Sequence, residues 1–384
     1  MRCSLPETIE LLAKLVAFKT VSRDPNEALI AYIADYFHQR GGRVRVLPGI
    51  LPGKANLLAS FGPEGADGLI LSGHSDVVPI DGQAWSQDAF TLTEREGNLY
   101  GRGAVDMKGF IASTMKLVAS MPRLQKPLHI AISHDEEIGC VGVRSMLAKL
   151  AAEGFKASGC VVGEPTGLKV AIGHKGKVAG CICCRGEAAH SANPDLGCNA
   201  IYLAADMILE LQNLQLWLRA NGAYDAAYAV PYSSVHVGTI HGGTVLNIVP
   251  NACDVTYEFR LLPGDDVAAL LARLRDAGAR LTDAQKARGR FAAVEITEDN
   301  GYPGLDTSAD LPFTTLVQEA AGQRGLTKLG FGSEAGLFDR MIGLPAVVCG
   351  PGSIDRAHKP DEFITRNELD ECDVFLSRLL ATLT

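Results

Sequence analysis

Two spacings of apolar residues alternate along the first half of the chain. Ile9, Leu12, Leu15 and Val16 form one stripe interrupted by Glu10 and Lys14, the spacing of an amphipathic helix. Ser4, with Glu7 three residues on and Pro6 between them, predicts a capping box at its start, not a signal peptide. A second helix is predicted over 24–41, with Asp24 as cap, Glu27 in the first turn and Gly41 as the stop. Short continuous apolar runs follow at 43–47, 55–61 and 68–71, the signature of strands buried on both sides. Further runs at 128–133 and 160–163 are interleaved with helical patterns at 110–121 and 141–152. Alternating strand and helix predicts an α/β domain, a mixed and mostly parallel sheet with helices on both faces.

From about His174 the rhythm changes. A strand-like segment at 177–185 precedes a helix at 199–220, strands at 233–240 and 252–261, a helix at 266–281 and a strand at 293–297. Strand, helix, two strands, helix, strand is the order of a ferredoxin-like α+β unit. The reading is an inserted domain over residues 174–300 within a first domain made of residues 1–173 and 301–384. The first domain resumes with a helix near 310–324, a strand at 344–349 and a terminal helix reaching Leu383. There are no internal repeats.

Composition narrows the function. The 384 residues are 47% hydrophobic and 21% charged, an ordinary globular balance. A net charge of -8 argues against nucleic acid or an anionic membrane as partner. No apolar run reaches membrane-spanning length, and the expected location is cytoplasmic. The ten cysteines form no spaced framework, so free buried thiols are expected. Cys181, Cys183 and Cys184 lie in a strand-like segment with no second pair at zinc-finger spacing, and are read as packing.

The candidate chemistry sits where strands stop. The run 68–71 ends on Gly73, His74, Ser75 and Asp76. Residues two apart on a strand share a face, so His74 and Asp76 are expected to aim at one point, as metal ligand and as the carboxylate that orients it. Glu136 and Glu137 follow the strand 128–133, Glu164 follows 160–163, and Asp106 lies in a glycine-rich turn between Gly103 and Gly109. Ligands of open α/β sheets collect at such strand ends. With His358, these make two imidazoles and three carboxylates, too many donors for one tetrahedral zinc. They suit two ions about 3.5 to 4 Å apart sharing a bridging carboxylate, with Asp106 as the bridge. In the doublet Glu136-Glu137, one carboxylate is expected to ligate. The other, Glu136, takes a proton from water and passes it to a leaving amine. Zinc, cobalt and manganese all accept these donors.

The segments GHSDVVP, GRGAVDMKG, DEEIG, GEPT, GEAAHS, GGTVLNIVP, FRLLPG and GPGSIDRAHKPDEF, in that order over nearly the whole chain, resemble the signature set of the dinuclear zinc peptidase, aminoacylase and succinyl-diaminopimelate desuccinylase family. With GSEAGLF added, they are most similar to its acetylornithine deacetylase branch. The resemblance implies two Zn2+ (Co2+ as a substitute), one held by His74 and Glu164 and the other by Glu137 and His358. It also implies a bridging Asp106 with a cis peptide to Met107, Asp76 orienting His74, and Glu136 as base and acid. The inserted domain would act as a lid and pair with its twin in a homodimer, His190 reaching the partner subunit's site to stabilise the oxyanion. Asn247 and Arg260 are similar to substrate-binding residues of the family, and a guanidinium suits a free carboxylate. Gly350 and Gly352 are expected to offer backbone N–H groups to that carboxylate, and Glu334 to border the substrate and meet an amino group. The implied activity is deacetylation of an N-acyl amino acid, N2-acetylornithine first. Acetylcitrulline deacetylation, diaminopimelate desuccinylation, aminoacylase and dipeptidase action are the neighbouring alternatives, and a non-catalytic metal-binding relative the remote one.

Overall fold

The continuous apolar runs form the middle of a sheet. The computed structural model describes residues 8–65 and 67–384, so the capping box expected on Ser4, Pro6 and Glu7, and Cys3, lie outside the described residues. The chain begins with helices α1 (Thr8–Ala17) and α2 (Glu27–His38) and strands β1 (Arg43–Pro48), β2 (Ala55–Phe61), β3 (Leu69–His74), β4 (Thr93–Arg95) and β5 (Asn98–Tyr100). Helix α3 (Gly109–Ala119), β6 (Leu128–Ser133), α4 (Val143–Ala152), β7 (Gly159–Pro165) and β8 (Val170–His174) follow. Next come β9 (Gly176–Arg185), α5 (Ala200–Asn221), β10 (Ser234–Gly242), β11 (Ala252–Leu261), α6 (Val267–Lys286), β12 (Ala293–Ile296) and β13 (Asn300–Tyr302). The chain ends with β14 (Leu305–Asp306), α7 (Pro312–Ala320), β15 (Leu326–Leu329), α8 (Ala335–Ile342), β16 (Ala346–Gly350), β17 (Phe363–Thr365) and α9 (Arg366–Ala381). Two compact units result: one of residues up to Gly173 with Leu305–Lys328 and Ser333–Thr384, the other of His174–Gly304 with Leu329–Gly332.

The first unit is built on a mixed sheet of order β1-β2-β6-β3-β7-β16-β8-β14, with β15 beside β8. Parallel pairing joins β6, β3, β7 and β16 at its centre. The pairs β1–β2, β2–β6 and β16–β8 around them are antiparallel. All residues of β3, β6 and β7 are buried, as strands covered on both sides must be. Their side chains divide by parity. Leu69, Leu71, Ile130, Ile132, Val161 and Val347 join one core with residues of α1, α2, α3 and α9. The alternate positions face the other layer, where α8 packs on α4, β7 and β16. A small sheet of order β17-β5-β4 pairs Phe363 with Tyr100, joining two segments far apart in sequence.

The second unit is a four-stranded antiparallel sheet, order β10-β11-β9-β12, with β13 pairing along β9. The chain order β9-α5-β10-β11-α6-β12 is ferredoxin-like. Because β13 extends this sheet, residues 300–304 pack with the second unit. Ile182, Cys184, Val255 and Phe259 on one face meet Leu203, Met207, Leu211, Leu270 and Leu274 of the helices. Asn199 and Asp266 cap α5 and α6 by accepting N–H bonds from the first helical turn. Among the described residues no helix is long and apolar enough to cross a membrane.

Candidate active site

Each acidic or imidazole group expected at a strand end is there, and the ends converge. His74 is the last residue of β3, Glu137 lies in the turn after β6, and Glu164 is near the end of β7. Asp106 follows β5 in the glycine-rich turn, and His358 follows β16. The turn at Asp106 depends on Gly103, which has φ +82° and where a Cβ would come within 2.6 Å of Val77. The Asp106–Met107 peptide is cis.

Asp106 stands between the two imidazoles. Its Oδ1 is 3.1 Å from His74 Nε2 and its Oδ2 is 3.2 Å from His358 Nε2. On one side, His74 Nε2 is also 3.6 Å from Glu164 Oε1. On the other, His358 Nε2 is 3.1 Å from Glu137 Oε2. Two donor groups, His74 with Asp106 and Glu137, and His74 with Glu136 and Glu164, each have their ligand atoms within 4.8 Å of one another. Glu137 Oε1 is buried and has no hydrogen-bond partner.

So dense a buried set of carboxylates strains its own ionisation. Burial pushes Glu136 up to about 8 and Glu137 up to about 7, with help from neighbouring carboxylates. Burial likewise holds Glu164 well above its usual range. Burial alone would lower the His74 imidazole, yet Glu164, Asp106 and Asp76 hold it well above. Hydrogen bonds to Asp106 and Glu137 push His358 up to about 10. Protons stand in here for positive charge. Nitrogen and oxygen donors on both sides of one carboxylate, with an unpartnered buried oxygen, fit a pair of divalent cations.

The orienting groups differ in detail from expectation. The close partner of His74 Nδ1 is the backbone carbonyl of Asp76, at 2.9 Å, while the Asp76 carboxylate lies 3.5 Å away. That carboxylate instead accepts the backbone N–H groups of Glu136 (3.0 Å) and Glu137 (3.3 Å) and the Ser22 hydroxyl (2.8 Å). Asp76 therefore clamps the turn that carries both glutamates. Asp135 anchors the same turn through a fully buried ion pair with Lys54, at 2.7 Å.

Several sequence-predicted substrate residues meet other partners. The Gly350 N–H donates to the Thr166 hydroxyl at 3.3 Å, so it is not directed at a ligand. Gly352, at φ +80°, packs so close to Val105 that a Cβ would come within 2.3 Å of it. Glu334 immediately precedes α8 without capping it and is 1% exposed, with no hydrogen-bond partner on either oxygen. Burial pushes it up to about 7, against the opposing pull of the Ser133 hydroxyl and the His74 imidazole. It lies inside the first unit and is not placed at its surface to meet an amino group.

His190, Asn247 and Arg260 belong to the second unit. His190 bridges to Ile248, Ser191 N–H donates to the Asn247 carbonyl at 3.1 Å, and both His190 and Asn247 are exposed. Arg260, near the far end of β11, is engaged: it donates to Glu258 at 2.6 and 3.2 Å and to the Tyr302 hydroxyl at 2.9 Å.

Two residues of the site had no role assigned from the sequence. The Cys140 thiol donates to Glu136 Oε1 at 3.2 Å. Glu362 accepts the backbone N–H groups of Val105 (3.0 Å) and Asp106 (3.2 Å) and pairs with Arg102 at 2.6 Å.

The profile of peptidase family M20/M25/M40 matches residues 70–382. The acetylornithine deacetylase of Vibrio vulnificus (strain CMCP6) is 35% identical to this chain, over 98% of each. The M20 metallo-carboxypeptidase Sso-CP2 of Sulfolobus solfataricus superposes with a TM-score of 0.79 at 19% identity, covering 98% of both chains. A dinuclear metal-binding M20 peptidase of Bacillus subtilis does so with a TM-score of 0.67 at 16% identity, over 98% of this chain and 97% of its own.

Proposed function

The chain belongs to peptidase family M20/M25/M40, and from that premise we propose that this hydrolase removes the acetyl group from N2-acetyl-L-ornithine, giving L-ornithine and acetate, a step of arginine biosynthesis. The observation that carries the hydrolytic reading is the donor set divided by Asp106, its carboxylates and His74 buried and His358 at the open side, with Glu136 beside it. The choice of substrate rests on similarity to the Vibrio vulnificus deacetylase along the full length of both chains.

In this reading His74 and Glu164 would hold one zinc ion and Glu137 and His358 the other, with Asp106 shared between them, and cobalt would serve as a substitute. Such a pair, when bound, polarises the amide carbonyl and lowers the pKa of an adjacent water. Glu136 takes a proton from the attacking water as the C–O bond forms. It then delivers that proton to the amine nitrogen as the C–N bond breaks, so ornithine leaves with its amine restored. Asp76 keeps Glu136 in register through the backbone of its turn. Asn247 and Arg260 bind the free amino acid portion. Arg260 must first exchange Glu258 for the substrate carboxylate, a like-for-like swap of charge.

A panel of N2-acetylornithine, N-acetylcitrulline, N-succinyl-diaminopimelate, other N-acetyl amino acids and dipeptides tests the substrate. The expected result is a kcat/KM for N2-acetylornithine at least about tenfold above the rest, the low end of what even a one-methylene difference in a pocket gives. A faster dipeptide or succinyl substrate would replace this assignment with that neighbour's activity.

The second unit supports a homodimer. β10 lies at the edge of its sheet, and Ile240 (48%), Val245 (54%) and Leu246 (101%) are exposed on or beside it. An unpaired apolar edge continues readily into a second copy. His190 of one copy then completes the site of the other by stabilising the oxyanion. Ile240→Asp with Leu246→Asp is expected to give a monomer in sedimentation and to remove most activity. A fully active monomer would strike His190 from the mechanism. The nine described cysteines are all free thiols, which favours a reducing, cytoplasmic setting.

A further inference from the structure

β9 carries thiols on both faces of its sheet. Ile182 and Cys184 point into the core beneath the helices. Cys181 and Cys183 alternate with them, so they stand on the opposite face, half-buried. Asp254 of β11 lies directly across from Cys183. Directly paired residues share a face, which brings the carboxylate beside the thiols. The two sulfur atoms are 3.6 Å apart, and the ligand atoms of Cys181, Cys183 and Asp254 lie within 4.8 Å of one another. Arg185 on the same strand holds Asp254 at 2.6 Å.

We propose that Cys181, Cys183 and Asp254 form a further cation site on the second unit, taking one thiophilic ion of the zinc and cadmium class per chain. Thiolates select such ions over magnesium or calcium, whereas the residues that would hold metal in the candidate active site, His74, Asp106, Glu137, Glu164 and His358, offer only nitrogen and oxygen donors. Two sulfurs, a carboxylate oxygen and a water complete a tetrahedron. Half-burial leaves the site open to ions from solvent. Both thiols release a proton to solvent as the ion binds. Arg185 offsets one of the three negative charges that then surround the ion. Oxidation of the pair to a disulfide is the less suitable fate. Residues two apart on an extended strand are about 6.6 Å apart, at the long limit for a bridge. An ion here ties β9 to β11, so it stabilises the unit by mass action.

The test uses full-length protein already loaded with zinc, kept in a phosphine reductant and titrated with cadmium. The readout is the ultraviolet thiolate-to-cadmium charge-transfer absorbance, which imidazole and carboxylate donors cannot produce. The wild type is expected to show a band that saturates at one ion per chain. Cys181→Ser/Cys183→Ser is expected to lose the band while hydrolysing substrate at the wild-type rate, which shows that the fold is intact. Asp254→Asn is expected to keep the band but weaken cadmium affinity at least about tenfold, as loss of a ligand or its support does. No band in the wild type, or an undiminished band in the double variant, overturns the proposal. So does mass spectrometry of the denatured, metal-stripped protein, before any reductant is added, that finds Cys181 and Cys183 joined as a disulfide, because the pair is then not available to an ion.

Discussion

Glu136→Gln should lower kcat by about 10²- to 10⁴-fold, the range that proton transfer by a positioned side chain supplies. KM and bound metal should stay near wild type. The substitution is isosteric, and the amide oxygen still accepts the Cys140 thiol. The clamp from Asp76 engages the Glu136 backbone N–H, which the substitution leaves in place. Only the capacity to take up and release a proton is lost. The same variant makes a prediction about stability in the metal-free protein. Burial pushes the Glu136 carboxyl from an ordinary 4.5 to about 8. A group raised in the folded state holds a proton there that the unfolded chain has already released. The folded protein is therefore penalised as pH rises through 4.5, and the penalty is complete above about 8. Urea unfolding in chelator should show a smaller loss of stability across that window for Glu136→Gln than for the wild type. A variant with full turnover would remove Glu136 as the proton carrier. One that loses its metal would make Glu136 a ligand instead.

The elements that hold this site differ in how openly the sequence announces them. β3, β6 and β7 are apolar on both faces, and such runs have no rival reading once helices alternate with them. His74, Glu137 and Glu164 are legible because each follows such a run. The antiparallel strands beside the sheet centre are not legible in the same way, since the direction of pairing is set by connections, not by composition. β4, β5 and β17 have three residues each, too few to display a period. Yet the pairing of Phe363 with Tyr100 is what returns the chain to the turn at Asp106. Arg260 shows the reverse case. Its charge is visible in the sequence, but its engagement with Glu258 two residues earlier is visible only once both are known to share a face of β11. Cys140 looked like one more scattered thiol, because only the turn after β6 folds it back on Glu136.

Glu362 is the residue that this short pairing delivers, and its removal should be the most damaging change outside the metal-binding groups. Glu362 and Arg102 are each 1% exposed and pair at 2.6 Å. Arg102 also donates to Gln83 and lies 5.0 Å from the Trp85 ring. Glu362→Ala leaves that guanidinium buried without its counter-charge, and deprives the N–H groups of Val105 and Asp106 of their acceptor. Breaking one half of a buried pair costs about 3–5 kcal/mol, which urea unfolding of the metal-free protein should register. Metal affinity should fall as well, by about 10- to 100-fold, because the groups that orient a ligand are lost. The double variant Arg102→Met/Glu362→Leu separates the two effects. It removes both charges for apolar groups, so stability should recover most of the loss. The Asp106 N–H still lacks its acceptor, so metal affinity should stay low. If Glu362→Ala unfolds like the wild type, the ion pair does not hold the turn. If the double variant regains metal affinity together with stability, the loss in Glu362→Ala came from the stranded guanidinium and not from Asp106.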